Sequence, residues 1–173
     1  HARRSEPQTT RNLFRLVRFS FLWPIMDATN GAEPILTLSL FFCFNSGSGD
    51  GRWIIEAAKT YGCKSIGIEI VPELVKASQK AIEKEKVAHL AEVWQVDGFN
   101  TDLSFTDVVS VYNTKEGMSV LVPKLQKELK AGSRVICIKL PIDGWIPDFQ
   151  QRMYEFKVYV YSMPPKIKMN TKL

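Results

Sequence analysis

Three glycines in five residues, Gly47-Ser48-Gly49-Asp50-Gly51, stand where an apolar run (Ile35 to Phe44) gives way to a helical pattern (Trp53 to Tyr61). Glu69 follows Gly49 by twenty residues. A strand, a glycine-rich turn, a helix and an acid closing the next strand form a nucleotide-binding half-fold. Glycine is required where a ligand lies against the backbone, because a Cβ would occupy its space. The acid suits a ribose, whose two hydroxyls a carboxylate can accept. A dinucleotide turn reads G-x-G-x-x-G, and its third glycine would fall on Arg52. Here the third glycine is Gly51, a spacing that fits a ligand with no pyrophosphate to seat on the helix N-terminus. That counts against a nicotinamide-dependent reductase.

S-adenosylmethionine, an adenosine joined to a zwitterionic amino acid, is such a ligand. Further motifs agree. They are Ser65-Ile-Gly-Ile-Glu69 with Pro72-Glu-Leu-Val75, then Val93-Trp-Gln-Val-Asp97 with Thr101-Asp-Leu-Ser104. Leu125 to Gly132 with Arg134 to Leu140, and a late Gly144-Trp-Ile-Pro-Asp148, complete the set. Over roughly 100 of 173 residues, Gly47 to Asp148, the chain resembles the class I, seven-strand S-adenosylmethionine-dependent methyltransferases. It is most similar to the small GSGDGR-type lysine methyltransferase subset. The resemblance implies a cofactor site of Asn45, Gly47, Ser48, Gly49, Gly51, Glu69, Asp97 and Gly98, with Asp97 accepting from the adenine amino group. It implies substrate-slot candidates Tyr112, Asn113 and Trp145, a protein lysine as acceptor, and no metal.

The chain departs from that pattern in three places. Asn45 stands where the family carries an acid for the methionine ammonium. Val111-Tyr-Asn113 replaces the usual D/N-P-P-Y, and the Pro-rich segment before the first strand is not recognisable. An inactive cofactor-binding relative serving as an interaction module, or a small-molecule methyltransferase, are the alternatives these departures leave open.

At 173 residues, 45% hydrophobic and 24% charged, the chain has the size and composition of one globular domain. Net charge is +5, of which residues 1–46 carry +2 through five arginines and three acids. The remaining +3 is mild, and lysines lie beside glutamates, as in Glu83-Lys84-Glu85-Lys86. Solvated helix faces follow from this, with no nucleic-acid partner expected. Cys43, Cys63 and Cys137 are odd in number and widely spaced, which reads as buried thiols in a reducing, intracellular compartment. With only His1 and His89, and no C-x-x-C, neither a zinc site nor a His-based triad is expected.

Residues 1–34 form an atypical leader in which Arg3, Arg4, Arg11, Arg15 and Arg18 interleave with apolar residues. This resembles a mitochondrial transit peptide, so the compartment reads as cytoplasmic or mitochondrial. A loosely packed leader is the alternative. Leu36 to Ser46 can also be encoded almost wholly by pyrimidines ending in AAC-AG, as a translated intron end would be, which would account for Asn45 and the missing upstream segment. The apolar run is too short to span a membrane.

Residues 35–173 then read as a single α/β domain. Strands are expected at Lys64–Ile70, Ala91–Val96, Asp107–Tyr112 and Arg134–Leu140, and helices at Arg52–Tyr61, Pro72–Lys86 and Lys115–Lys130. Tyr154–Tyr161 and Lys166–Met169 are expected to form a C-terminal antiparallel hairpin on the sheet. Alternating β and α units give a Rossmann-like, doubly wound, mostly parallel sheet, and a monomer is expected. Methyl transfer is an in-line displacement needing alignment more than acid–base help, so an aromatic-lined slot at Tyr112 and Trp145 would suffice. No residue in the sequence stands out as a general base.

Overall fold

The computed structural model describes residues 42–153 and 156–168. The leader, the start of the apolar run, Tyr154 and Met169 lie outside them. Five strands, β1 (Phe42–Ser46), β2 (Lys64–Glu69), β3 (Ala91–Gln95), β4 (Val108–Val111) and β5 (Arg134–Ile138), pair in parallel. They alternate with helices α1 (Arg52–Tyr61), α2 (Pro72–Lys84) and α3 (Lys115–Glu128). After β5 come the short β6 (Trp145–Ile146), then β7 (Phe149–Met153), β8 (Phe156–Ser162) and β9 (Lys166–Ile167). Among the described residues the main sheet has seven strands in the order β3-β2-β1-β4-β5-β8-β7, with β8 antiparallel to both neighbours.

Both faces of the sheet are covered, because successive strand side chains point to opposite sides. Val109 and Val111 of β4, Val135 and Cys137 of β5, and Tyr159 and Tyr161 of β8 pack with Leu121 and Leu125 of α3. Val108, Ile136, Val158 and Val160, the alternate positions, pack with Ala57 and Tyr61 of α1. From β1 the chain winds outward to β2 and β3, and from β4 outward to β5. The order therefore reverses between β1 and β4, the place where such sheets bind ligands beyond their carboxyl ends.

The expected C-terminal hairpin needs correcting in its partners. It is formed by β7 and β8, whereas Lys166–Ile167 pairs with Trp145–Ile146 in a separate two-stranded sheet. The free edge of β8 is already taken by β7, and Pro164 and Pro165, which lack N–H donors, carry the chain off the sheet. Two helices also end early. Lys86 adopts a left-handed φ of 58°, stopping α2 at Lys84. Leu129, extended at φ −72° and ψ 131°, drops into the core after α3. Cys63 and Cys137 are buried thiols, and burial pushes Cys137 up to about 12. Among the described residues, no helix is long and apolar enough to cross a membrane.

Candidate cofactor and substrate site

The turn between β1 and α1 is held from three sides. Gly47 and Ser48 donate their N–H groups to the Ile68 carbonyl at 3.0 and 2.9 Å, which fastens the turn to β2. The Ser78 hydroxyl of α2 donates to the Gly49 carbonyl at 2.8 Å. Gly49 in turn donates its N–H to Glu69 Oε2 at 2.9 Å. The other Glu69 oxygen, Oε1, accepts the N–H groups of Ile70 and Val71 at 2.9 and 3.0 Å. Glu69 is only 8% exposed, so these bonds are what let an acid sit at the end of a buried strand.

The glycines divide the work. At Gly51, the N-cap of α1 with φ 78°, a Cβ would lie 2.9 Å from Ser78 Oγ, so glycine there serves helix packing. At Gly49, with φ 58°, a Cβ would meet nothing within 4 Å. Gly62, Gly132 and Gly144 share that open space, but of the four only Gly49 lies in the turn at the switch point between β1 and β4. Ser48, expected as a cofactor contact, has a buried hydroxyl with no hydrogen-bond partner among the described residues. It is 3% exposed, its side chain sits 2.7 Å from where a Cβ on Gly67 would fall, and its N–H and carbonyl are spent within the turn.

Asp97 follows β3 and caps a 3₁₀ turn at Gly98–Asn100. Its Oδ1 accepts from Phe99 N at 2.9 Å and its Oδ2 from Asn100 Nδ2 at 3.1 Å. An Asx turn at Asp97 is therefore realised, and each oxygen keeps further acceptor capacity. Glu69 and Gln95 are paired in register, so Ile70 and Val96 emerge next to each other from β2 and β3. With Phe99 they are exposed apolar side chains, at 66%, 41% and 39%. Sequence reasoning misses all three, since single apolar residues past strand ends carry no periodic signal.

Asn45 lies near the carboxyl end of β1, in register with Gly67 and Ser110. Past β4, Tyr112 is 52% exposed, and its carbonyl is 4.0 Å from the position of a Cβ on Gly47. Asn113 Oδ1 accepts the Thr114 N–H at 2.8 Å at the entrance to α3, and Gly117 leaves room for its side chain. Trp145, expected to line the slot, is 3% exposed in the core, its ring edge-on to Tyr161 at 5.5 Å. A large indole with an aromatic partner buries more surface in the core than a slot wall would. A pocket of about 410 Å³ lies instead between α3 and the segment after β5, lined by Met118, Val122, Leu140, Ile142 and neighbours.

Asp50 also escapes sequence reasoning. It forks onto Arg52 with Oδ–Nε distances of 2.8 and 3.0 Å, and the guanidinium holds its carboxyl below the usual range. Among the described residues, no group of three or more His, Cys, Asp or Glu side chains could hold a metal ion.

Residues 45–149 match the family described as the ANTKMT methyltransferase domain. A protein-lysine N-methyltransferase of Saccharolobus islandicus is 38% identical over 105 residues, covering 60% of this chain and 65% of that protein. The adenine nucleotide translocase lysine N-methyltransferase of Mus musculus is 30% identical over 106 residues, 58% of this chain and 44% of that one. The chain thus spans less than two thirds of the length of these relatives. Among solved structures, an RNA methyltransferase from Salinibacter ruber in complex with S-adenosyl-L-homocysteine superposes with a TM-score of 0.74. It is 28% identical, with 96% of this chain and 97% of that one covered.

Proposed function

Because the chain belongs to the family of the ANTKMT methyltransferase domain, we propose that it transfers a methyl group from S-adenosylmethionine to a lysine side chain of a protein. The observation that carries the reading is the stapled glycine turn, with open space at Gly49 and a partly committed Glu69 beside it. A carboxylate has about four acceptor positions, and three on Glu69 are taken by backbone N–H groups. One position on Oε2 is left for a ribose hydroxyl. Ile70, Val96 and Phe99 would cover the adenine faces, and Asp97 would accept from its amino group. Gly47 and Asn45 would stand at the methionine end. The residues present fit the group.

Bound there, S-adenosylmethionine supplies a methyl on a positively charged sulfur, which leaves as a neutral thioether. The chain's part is alignment and the exclusion of water. The acceptor amine must arrive neutral, against a reference pKa near ~10.4. Losing its hydration near Tyr112 favours that form, and the displaced proton passes to solvent. The chain's residues would hold the amine lone pair in line with the methyl carbon and the sulfur, which would keep the bonding electron pair.

Relatives named as lysine N-methyltransferases support a protein acceptor. One observation favours a second reading, an RNA acceptor: the name of the similar Salinibacter ruber structure. Incubation with radiolabelled S-adenosylmethionine and fractionated mitochondrial and cytosolic extracts separates the two. Base-stable, protease-sensitive label mapping to lysine supports the first; nuclease-sensitive label supports the second. A folded sample that binds neither S-adenosylmethionine nor S-adenosylhomocysteine in calorimetry defeats both.

A further inference from the structure

Tyr112 and Phe156 meet edge to face at the rim of the sheet. Their ring centroids are 6.3 Å apart and their planes cross at 86°. Tyr112 leaves the end of β4, Phe156 opens β8, and β5 lies between those strands in the sheet. The rings therefore face each other across the end of β5. There the chain turns aside at Lys139, whose φ of 79° is left-handed and whose N–H donates to the Lys157 carbonyl at 2.7 Å. Tyr112 is 52% exposed, and its backbone abuts Gly47, the first glycine of the turn. Two perpendicular aromatic walls, Tyr112 exposed and Phe156 half-buried, form a corner beside the glycine turn.

We propose that Tyr112 and Phe156 form the receptor for the acceptor's alkylammonium head group, with Phe156 as the second wall. A cation is attracted to an aromatic face within about 6 Å of the ring centroid. With centroids 6.3 Å apart, one head group can lie within that range of both rings. The ligand class is a primary or N-methylated alkylammonium, that is, a lysine and its methylated products. Charge is recognised at the corner, and the proton is lost as the amine moves inward and sheds water. The assignment of lysine as the natural ligand rests on the methyltransferase reading; the corner itself does not.

Saturation-transfer NMR with tetramethylammonium, and with a neutral tert-butyl alcohol as a control of similar shape, tests the corner on the whole chain. Saturation should reach tetramethylammonium more strongly than the alcohol. Tyr112→Leu and Phe156→Leu should each reduce it at least threefold, while Phe156→Tyr, which keeps a ring, retains it. Equal uptake of the charged and neutral probes, or parental uptake in both leucine variants, overturns the proposal. Calorimetry with S-adenosylhomocysteine on the same samples keeps the two ideas apart. Cofactor binding without a tetramethylammonium signal refutes only the corner; the reverse refutes only the methyltransferase reading.

Discussion

The Glu69 carboxylate accepts the backbone N–H of Gly49 at 2.9 Å, across twenty residues of chain. One side chain thereby fixes the glycine turn, and under the proposed function its remaining acceptor position takes a ribose hydroxyl. Removing it has two consequences that separate experimentally. Glu69→Ala should weaken S-adenosylhomocysteine binding by roughly 1.5–3 kcal/mol, the loss of a charge-assisted hydrogen bond. It should also lower the unfolding midpoint, because three partly buried N–H groups lose their acceptor. Glu69→Gln can keep the bonds to Ile70 and Val71 through its carbonyl oxygen, but turns an NH₂ toward the Gly49 N–H. It should recover stability more than affinity. Parental affinity in both variants would place the cofactor elsewhere.

Two left-handed glycines give a comparison in which conformation and contact come apart. Gly132, φ 86°, has nothing within 4 Å of a built Cβ, whereas at Gly51, φ 78°, Ser78 Oγ is 2.9 Å away. Gly132→Ala should cost roughly 1–2 kcal/mol, the penalty for a side chain in the left-handed region. Gly51→Ala adds an overpacking cost of about 1–3 kcal/mol. Urea denaturation checks the ranking, and equal costs would mean that α2 yields freely at Ser78.

The parts of this molecule legible in its sequence are those set by local chemistry. The glycine run marks the turn, Pro72 opens α2, and an acid closing the apolar Ile66–Ile68 stretch marks the carboxyl end of β2. What escapes depends on tertiary neighbours. Phe149-Gln-Gln-Arg-Met153 shows little apolar alternation because β7 is an edge strand, so the sequence pattern points to the wrong hairpin partner. Trp145 satisfies a core and a slot equally well as a letter, and its burial against Tyr161 is visible only in the fold. Phe156 stands in no motif, and its partner is 44 residues away. Ser48 has the composition of a ligand-binding turn residue, and its burial beside Gly67 with no hydrogen-bond partner is a tertiary fact that the letter does not carry.

Tyr161 holds the segment after β5 by accepting the Ile142 N–H at 2.9 Å on its hydroxyl, inside the core. Tyr161→Phe leaves that buried donor without its acceptor and should cost about 1–3 kcal/mol. Trp145→Ala, which opens a cavity beside the same ring, should cost about 3–5 kcal/mol. If Trp145 acts through packing, Trp145→Phe should shift the unfolding midpoint while leaving the KM of the protein acceptor near its parental value. A large KM increase with unchanged stability would return Trp145 to the slot.

Burial raises Tyr161 from 10.0 to about 12 and Cys137 from 9.0 to about 12. Both are neutral in the folded and the unfolded chain below about pH 8, so neither makes stability depend on pH there. Above it the unfolded chain loses these protons first, binds fewer protons than the folded chain, and stability falls with rising pH. The decline should begin near pH 8, steepen past 10 and level off only above 12. Thermal melts across that window check it. Cys137→Ala should remove the earlier part of the decline, and an unchanged onset would assign it to other groups.

Asn45 occupies the carboxyl end of β1, the strand that leads directly into the glycine turn. The position lies beside Gly67 on one side and Ser110 on the other, in the register that places it at the switch point of the sheet. An amide can accept a hydrogen bond from an ammonium but offers no charge, whereas a carboxylate offers both. Asn45→Asp should therefore tighten binding of the amino-acid end of the cofactor by on the order of 1 kcal/mol, about fivefold. The comparison that isolates this is calorimetry with S-adenosylhomocysteine against 5′-methylthioadenosine, which lacks the ammonium. The gain should appear with the first ligand and not the second. A gain with both would trace to the shape of the turn, and no gain with either would mean that the ammonium is met by another group.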